Sequence, residues 1–175
     1  MDHFYEDVDG WFWFEPAYRH LLDTLPTERR STWVELGVYK GRSLAWLIVA
    51  AAQRPVQLDI IGVDLVPQVL DSRILNAPNL LLVHGDSAAT ASTFANESVD
   101  VVWVDADHSR EACLRDIDAW WPRLRTGGYM GGDDYEMAGV REAVTQRFQF
   151  AHEVGYGTLT DGAEPRPYPY WLVRK

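Results

Sequence analysis

The chain has 175 residues, nearly half of them hydrophobic, with charged and apolar residues mixed throughout, so it can bury a substantial core and is not a disordered polypeptide. Its net charge of −10 disfavours nucleic-acid phosphates and anionic membrane surfaces, and suits an enzyme of small neutral or cationic molecules. The one cysteine, Cys113, excludes an internal disulfide, which fits a reducing cytoplasm.

The N-terminus opens on acids (Asp2, Glu6, Asp7, Asp9) and does not read as a signal or transit peptide. No apolar run approaches the ~18 residues of a membrane span. Gly10–Leu25 reads as an aromatic-rich helical lead-in, within a first segment of residues 1–30. Its Trp11, Phe12, Trp13 and Phe14 have three uses open to them: roofing a pocket, packing onto the core, or burying a homodimer contact.

From there strands and helices alternate. Trp33–Gly37 reads as a strand and Gly41–Ala52 as a helix; Leu58–Asp64 as a strand and Gln68–Leu75 as a short helix. Leu80–Val83 is a third strand, Ser87–Ala95 a helical turn or two, and Val99–Asp105 a fourth strand before the helix Ser109–Leu124. Tyr129–Asp133 is the fifth strand and Ala138–Arg147 the next helix. Near-continuous apolar runs such as "IIGV" and "VVWV" are those of parallel strands covered on both faces. Phe148–Tyr156 and Tyr168–Arg174, joined by a Gly/Pro-rich loop (Gly157–Pro169) with no helix between them, read as an antiparallel pair at one sheet edge. One α/β domain over residues 1–175 is the expectation, with its core from residue 31 onward.

Ligands of an open parallel sheet bind at the carboxyl ends of the strands. Acids stand at nearly every such end here: Glu35, Asp64, Asp86, Asp105, and the pair Asp133 and Asp134. Any one of them could be a helix cap, but the whole row is hard to explain that way. The first turn, "ELGVYKG", lacks the middle glycine of a dinucleotide fingerprint and carries an acid upstream, which would repel a pyrophosphate and suit a cation. Asp64 ends the second strand where an acid accepts both hydroxyls of a ribose. A ligand with a ribose, a positive centre and no phosphate is implied, and S-adenosylmethionine has these properties.

"VELGVYKGRSL", "IIGVDL" and "VWVDADHSREACLRDIDAWWPRLRTGGYMGGDDY" together resemble, in order, the motifs of class I S-adenosylmethionine-dependent methyltransferases. Within that class the likeness is to small O-methyltransferases of the macrolide-sugar and cephalosporin-hydroxylase group. The resemblance implies a Rossmann-like, mostly parallel seven-stranded sheet with a C-terminal antiparallel edge hairpin and helices on both faces. It implies a pocket for the methionine end shaped by Glu35, Gly37 and Gly41, with Ser43 either there or an ordinary helix-start residue. It further implies ribose contacts at Asp64 beside Leu65, and adenine contacts at Asp86 and Ser87, Ser87 being equally readable as a cap. Tyr39 and Tyr135 border that pocket as open candidates.

In metal-dependent relatives the acid ending the fourth strand and two residues ending the fifth hold a divalent cation. The matching positions are Asp105, Asp133 and Asp134, a carboxylate set suited to Mg²⁺. Catechol-type enzymes have Asp-Asn where this chain has Asp133-Asp134. Asp105 also borders the cofactor, and His108 stands where some relatives carry a lysine near the acceptor, as a base or as a residue holding the turn. Asp107 reads as a helix-start acid. The implied activity is O-methylation of a small molecule. The alternatives are a nicotinamide-dependent oxidoreductase and a non-catalytic S-adenosylmethionine-binding protein.

Overall fold

The computed structural model describes residues 3–66, 69–160 and 164–175; Asp2, Gln68 and the middle of the Gly157–Pro169 loop lie outside them. After a single 3₁₀ turn at Phe4–Glu6, the elements run α1 (Glu15–Thr24), β1 (Arg30–Leu36), α2 (Arg42–Ala52), β2 (Gln57–Asp64), α3 (Ser72–Leu75), β3 (Leu80–His84) and α4 (Ser87–Thr90). A further 3₁₀ turn leads to β4 (Val99–Val104), α5 (Arg110–Trp120), β5 (Leu124–Gly132), α6 (Ala138–Phe148), β6 (Glu153–Leu159) and β7 (Arg166–Arg174). The seven strands form one sheet in the order β3-β2-β1-β4-β5-β7-β6. The pairs from β3 across to β5 are parallel, and β7 runs antiparallel to both β5 and β6.

The pleat of the central strands builds two cores. Trp33, Ile60, Val101, Trp103 and Leu172 face one side, where α1 and α2 cover them with Tyr18, Leu21, Leu44 and Leu47. Val34, Leu36, Val102, Val104 and Trp171 face the other, against Ile117 and Trp120 of α5 and Val144 of α6. Helices on both faces explain the apolar runs of β1, β2 and β4. The strand order reverses between β1 and β4, so the crevice over their carboxyl ends lies at the switch point.

Several boundaries differ from the sequence reading. Helix α1 begins only at Glu15, with Pro16 in its first turn, so Trp11–Phe14 precede the helix. Strand β1 starts three residues early, at Arg30. Helix α5 ends at Trp120, and β5 begins at Leu124 inside the polar stretch "LRTGG". There the Gly127 and Lys175 backbones pair, tying this stretch to the chain's last residue. Phe148 ends α6 rather than opening a strand: it is buried against Trp121 and Trp171, and Gln149 at φ +53 stops the helix. Among the described residues no helix is long and apolar enough to cross a membrane.

Candidate functional site

A cavity of about 730 Å³ opens over the carboxyl ends of β1, β2, β4 and β5. Its size is that of a site for a nucleoside-sized ligand. One wall is the β1–α2 turn, and its glycines are dictated by close approach. Gly37 has φ +89, and a Cβ there would sit 1.8 Å from the Asp105 carbonyl oxygen, so only glycine lets the ends of β1 and β4 meet. Gly41, at φ +79, is the N-cap of α2 and faces Ile74 and Leu70.

Asp64 lines the cavity and fixes this turn. Its Oδ2 accepts the backbone N–H groups of Val38 at 2.9 Å and Tyr39 at 3.0 Å, and its Oδ1 accepts that of Val66 at 2.8 Å. A carboxylate has about four acceptor sites, so one remains for a ligand hydroxyl. Tyr39 and Leu65 lie on the same wall, and Trp11 stacks on Tyr39 with ring centroids 5.6 Å apart. Of the lead-in aromatics, Trp11, Trp13 and Phe14 reach the cavity, whereas Phe12 packs on Tyr18 and Trp46 in the core.

Glu35 does not reach the cavity wall. It is buried behind Ser43, whose hydroxyl donates to Oε1 at 2.6 Å, while the Tyr18 hydroxyl donates to Oε2 at 2.6 Å. Burial pushes its carboxyl up to about 7, and the two hydroxyl bonds only partly offset that. Ser43 itself lines the cavity, so the expected contact of Glu35 with a ligand is replaced by control of Ser43's orientation.

Beyond β3, Asp86 caps α4, with Oδ1 accepting from Ala89 N–H at 2.8 Å, and Oδ2 meets Arg115 at 3.0 Å. Ser87 is no cap: its hydroxyl donates to Asp116 at 2.5 Å. Asp116, only 1% exposed, is pushed up to about 6, chiefly by burial. The sequence reading passed over Asp116. A signal existed: Cys113, Asp116, Ile117 and Trp120 form the buried stripe of α5, and an acid on such a stripe needs a reason.

At the ends of β4 and β5, Asp105, His108, Asp133 and Asp134 each offer a ligand atom within 4.8 Å of the others. His108 Nε2 lies 3.0 Å from Asp134 Oδ2 and 3.4 Å from Asp105 Oδ1. His108, placed by sequence beside an acceptor, thus joins the acid group itself. Asp133 and Asp134 are buried, and Asp133 Oδ1 has no hydrogen-bond partner. Burial, then the Asp134 charge, raises the Asp105 carboxyl well above its ordinary range; burial, then Asp105, does the same for Asp133. Asp134 holds φ +51, rare for a residue with a side chain, in a turn closed by Met137 N–H to its carbonyl at 2.8 Å.

Tyr168 of β7, unforeseen from sequence, lines the same cavity as Asp134, and its hydroxyl is raised above the ordinary phenol range by burial and then by the Asp134 charge. It stands 5.0 Å from the Trp13 ring, with Arg166 over its face. Tyr135 turns away from the cavity and bonds His152 Nε2 at 2.6 Å. Asp107 lines the cavity rim and accepts Ser109 N–H at 2.7 Å, as a helix-start acid does.

Residues 34–135 match the family model described as a methyltransferase domain. The chain belongs to that methyltransferase family. Its fold agrees. It superposes on a TDP-rhamnose 3′-O-methyltransferase of calicheamicin biosynthesis with a TM-score of 0.60 at 19% identity, covering 91% of this chain and 76% of that one. A SAM-dependent O-methyltransferase of Thermotoga maritima gives 0.62 at 14% identity, covering 95% and 67%. Those identities speak for a shared fold. An uncharacterized protein of Acanthamoeba polyphaga mimivirus is 22% identical over 135 residues, 67% of this chain, which spans 58% of that relative's length. By family and fold the chain carries a methyltransferase domain, which speaks against the nicotinamide-dependent alternative.

Proposed function

We propose that the chain transfers a methyl group from S-adenosylmethionine to a hydroxyl of a small molecule, assisted by a divalent cation. The observation that carries this reading is one continuous cavity. It joins the β1–α2 turn and Asp64 to the acid group at Asp105, Asp133 and Asp134. Asp64 would accept from the ribose, and the Gly37–Ser43 turn would cradle the methionine end under Ser43, held by Glu35. The acid row favours a sulfonium, and the net charge of −10 favours a small acceptor over a nucleic acid. The buried thiol of Cys113 suits a cytoplasmic setting.

The residues present fit a hard cation. Asp133 Oδ1 is a buried carboxylate oxygen with no donor, and no Lys or Arg among the described residues pairs with Asp105, Asp133 or Asp134. Those three carboxylates would hold Mg²⁺. A bound cation of this kind lowers the pKa of an acceptor hydroxyl. His108 stands beside them to take the hydroxyl proton, and Trp13 and Tyr168 wall the acceptor side and exclude water.

Calorimetry with S-adenosylmethionine, S-adenosylhomocysteine and NAD⁺, each with Mg²⁺ or EDTA, tests the reading. Binding of the first two alone is the expected result; binding of NAD⁺ alone would overturn it.

A further inference from the structure

The two edges of the sheet are finished differently. β6, the last strand on one side, opens on Glu153, and the lead-in presses against it: a Cβ at Gly157 would meet the Trp13 carbonyl oxygen at 1.5 Å. β3, on the other side, has neither defence. Among the described residues no strand lies beyond it, and its run Leu80–His84 holds no Asp, Glu, Lys or Arg. From Ile74 to Gly85 the chain carries none at all, although its net charge is −10. Leu75, Leu81 and Leu82 stand 57%, 58% and 37% exposed in that stretch. Sheet edges are ordinarily blunted by a charge, a proline or a bulge, and an apolar edge without one invites another strand.

The backbone shows which strand fits. The Asn79 carbonyl accepts the Ile60 N–H at 2.8 Å, and the Gly85 N–H donates to the Asp64 carbonyl at 2.9 Å. In this parallel ladder the odd-numbered residues in and around β3 therefore bond inward to β2. The even-numbered ones, Leu80, Leu82 and His84, turn their peptide groups to the free edge. That set is symmetric about Leu82. Against a second β3 related by a two-fold axis, Leu82 exchanges both hydrogen bonds with the partner's Leu82, and the His84 N–H meets the carbonyl of the partner's Leu80. Leu81 then packs on the partner's Val83, and no charge is set against its own copy, the condition an anionic chain must meet to bind itself. We propose that β3 pairs antiparallel with the β3 of a second copy of this chain, centred on Leu82, giving a two-fold dimer with one continuous sheet through both subunits. None of Leu80–His84 lines the cavity, so the interface does not depend on the S-adenosylmethionine reading.

The test is sedimentation velocity of the full chain across a concentration series, for the wild type, Leu82→Lys and Tyr156→Lys, with circular dichroism confirming each fold. The wild type should sediment as a dimer, at twice the 20.0 kDa of the chain. Leu82→Lys sets like charges face to face at the two-fold and should give the monomer, whereas Tyr156→Lys, at an exposed site on β6, should remain a dimer. Leu82→Cys should also yield a disulfide-linked dimer on mild oxidation. Facing Cα atoms of a hydrogen-bonded antiparallel pair lie ~5.5 Å apart, within disulfide reach, and the native Cys113 is buried. A monomeric wild type overturns the proposal and leaves the edge to a foreign strand. A dimer that survives Leu82→Lys, dissociates in Tyr156→Lys or is not linked by Leu82→Cys overturns it as well. Should Leu82→Lys not fold, the linkage decides: a linked dimer supports the pairing and an unlinked one ends it.

Discussion

Strand β4 has an acid near each end, the first buried and the second partly buried, and the two are treated in opposite ways. Asp100, near the amino end, is met by Arg29 at 2.5 and 3.2 Å, by Arg125 at 3.4 Å and by the Thr32 N–H at 2.9 Å. Asp105, just past the carboxyl end, faces Asp133 and Asp134, and its one basic neighbour there is His108. The amino end therefore contains its own counter-charge and serves as a clamp between β1, β4 and β5. The carboxyl end leaves negative charge uncompensated inside a cavity, which is unfavourable for the empty protein and favourable once a cation enters. On the proposed reading the same residue type is structural at one end of the sheet and a binding group at the other, and the difference lies in who supplies the positive charge.

The largest effect that would break this contrast comes from Asp134→Ala. Turnover, once an acceptor is in hand, should fall on the order of 10²-fold or more, as when a principal electrostatic group is removed. Cofactor affinity by calorimetry should stay the same, and an active variant would show that the group is not needed. Asp64→Ala comes next: affinity for S-adenosylhomocysteine should weaken by about 1.5–3 kcal/mol, the worth of hydrogen bonds to a charged group. Unchanged affinity would mean that Asp64 only pins Val38 and Tyr39.

The opposite pattern is expected of Asp100→Ala. Arg29 is partly exposed and can be rehydrated, so the loss should be about 1.5–3 kcal/mol of stability, read as a melting temperature lower by roughly 4–10 °C, with cofactor affinity untouched. A loss of binding would erase the distinction between the two ends.

A further effect, spread over a wide range rather than tied to one substitution, is a slope with pH. Glu35 at about 7 and Asp116 at about 6 are raised above their unfolded values, as are Asp105 and Asp133. Each binds its proton more tightly when folded. The stability this contributes is complete below the ordinary carboxylate range and is lost as pH rises through the folded values. Melting temperature of the metal-free protein should therefore decline between about pH 5 and 8. A rise over that window would mean that these carboxyls are compensated in a way the geometry does not show.

Much of this was legible in the sequence because burial on both faces writes long apolar runs: β1, β2 and β4 appear within a few residues of their bounds. The row of strand-end acids and the paired turn glycines could be seen for the same reason, since they interrupt those runs. What escaped depended on tertiary partners. "LRTGG" becomes part of β5 because the far end of the chain pairs with it. Glu35 looked like a ligand contact, but Tyr18, seventeen residues upstream, holds it in the core. Tyr168 lines the cavity only because β7 inserts between β5 and β6.

The most direct measurement is a Mg²⁺ titration of the thermal melt at pH 8 with S-adenosylhomocysteine present, on the wild type and Asp133→Asn. Ligand binding to the folded state adds stability in proportion to the logarithm of its excess over the dissociation constant, so the wild-type melting temperature should rise with Mg²⁺ and the variant's should not. A wild type indifferent to Mg²⁺, or a variant that rises equally, would contradict the claim that the carboxyl rim draws its positive charge from outside the protein.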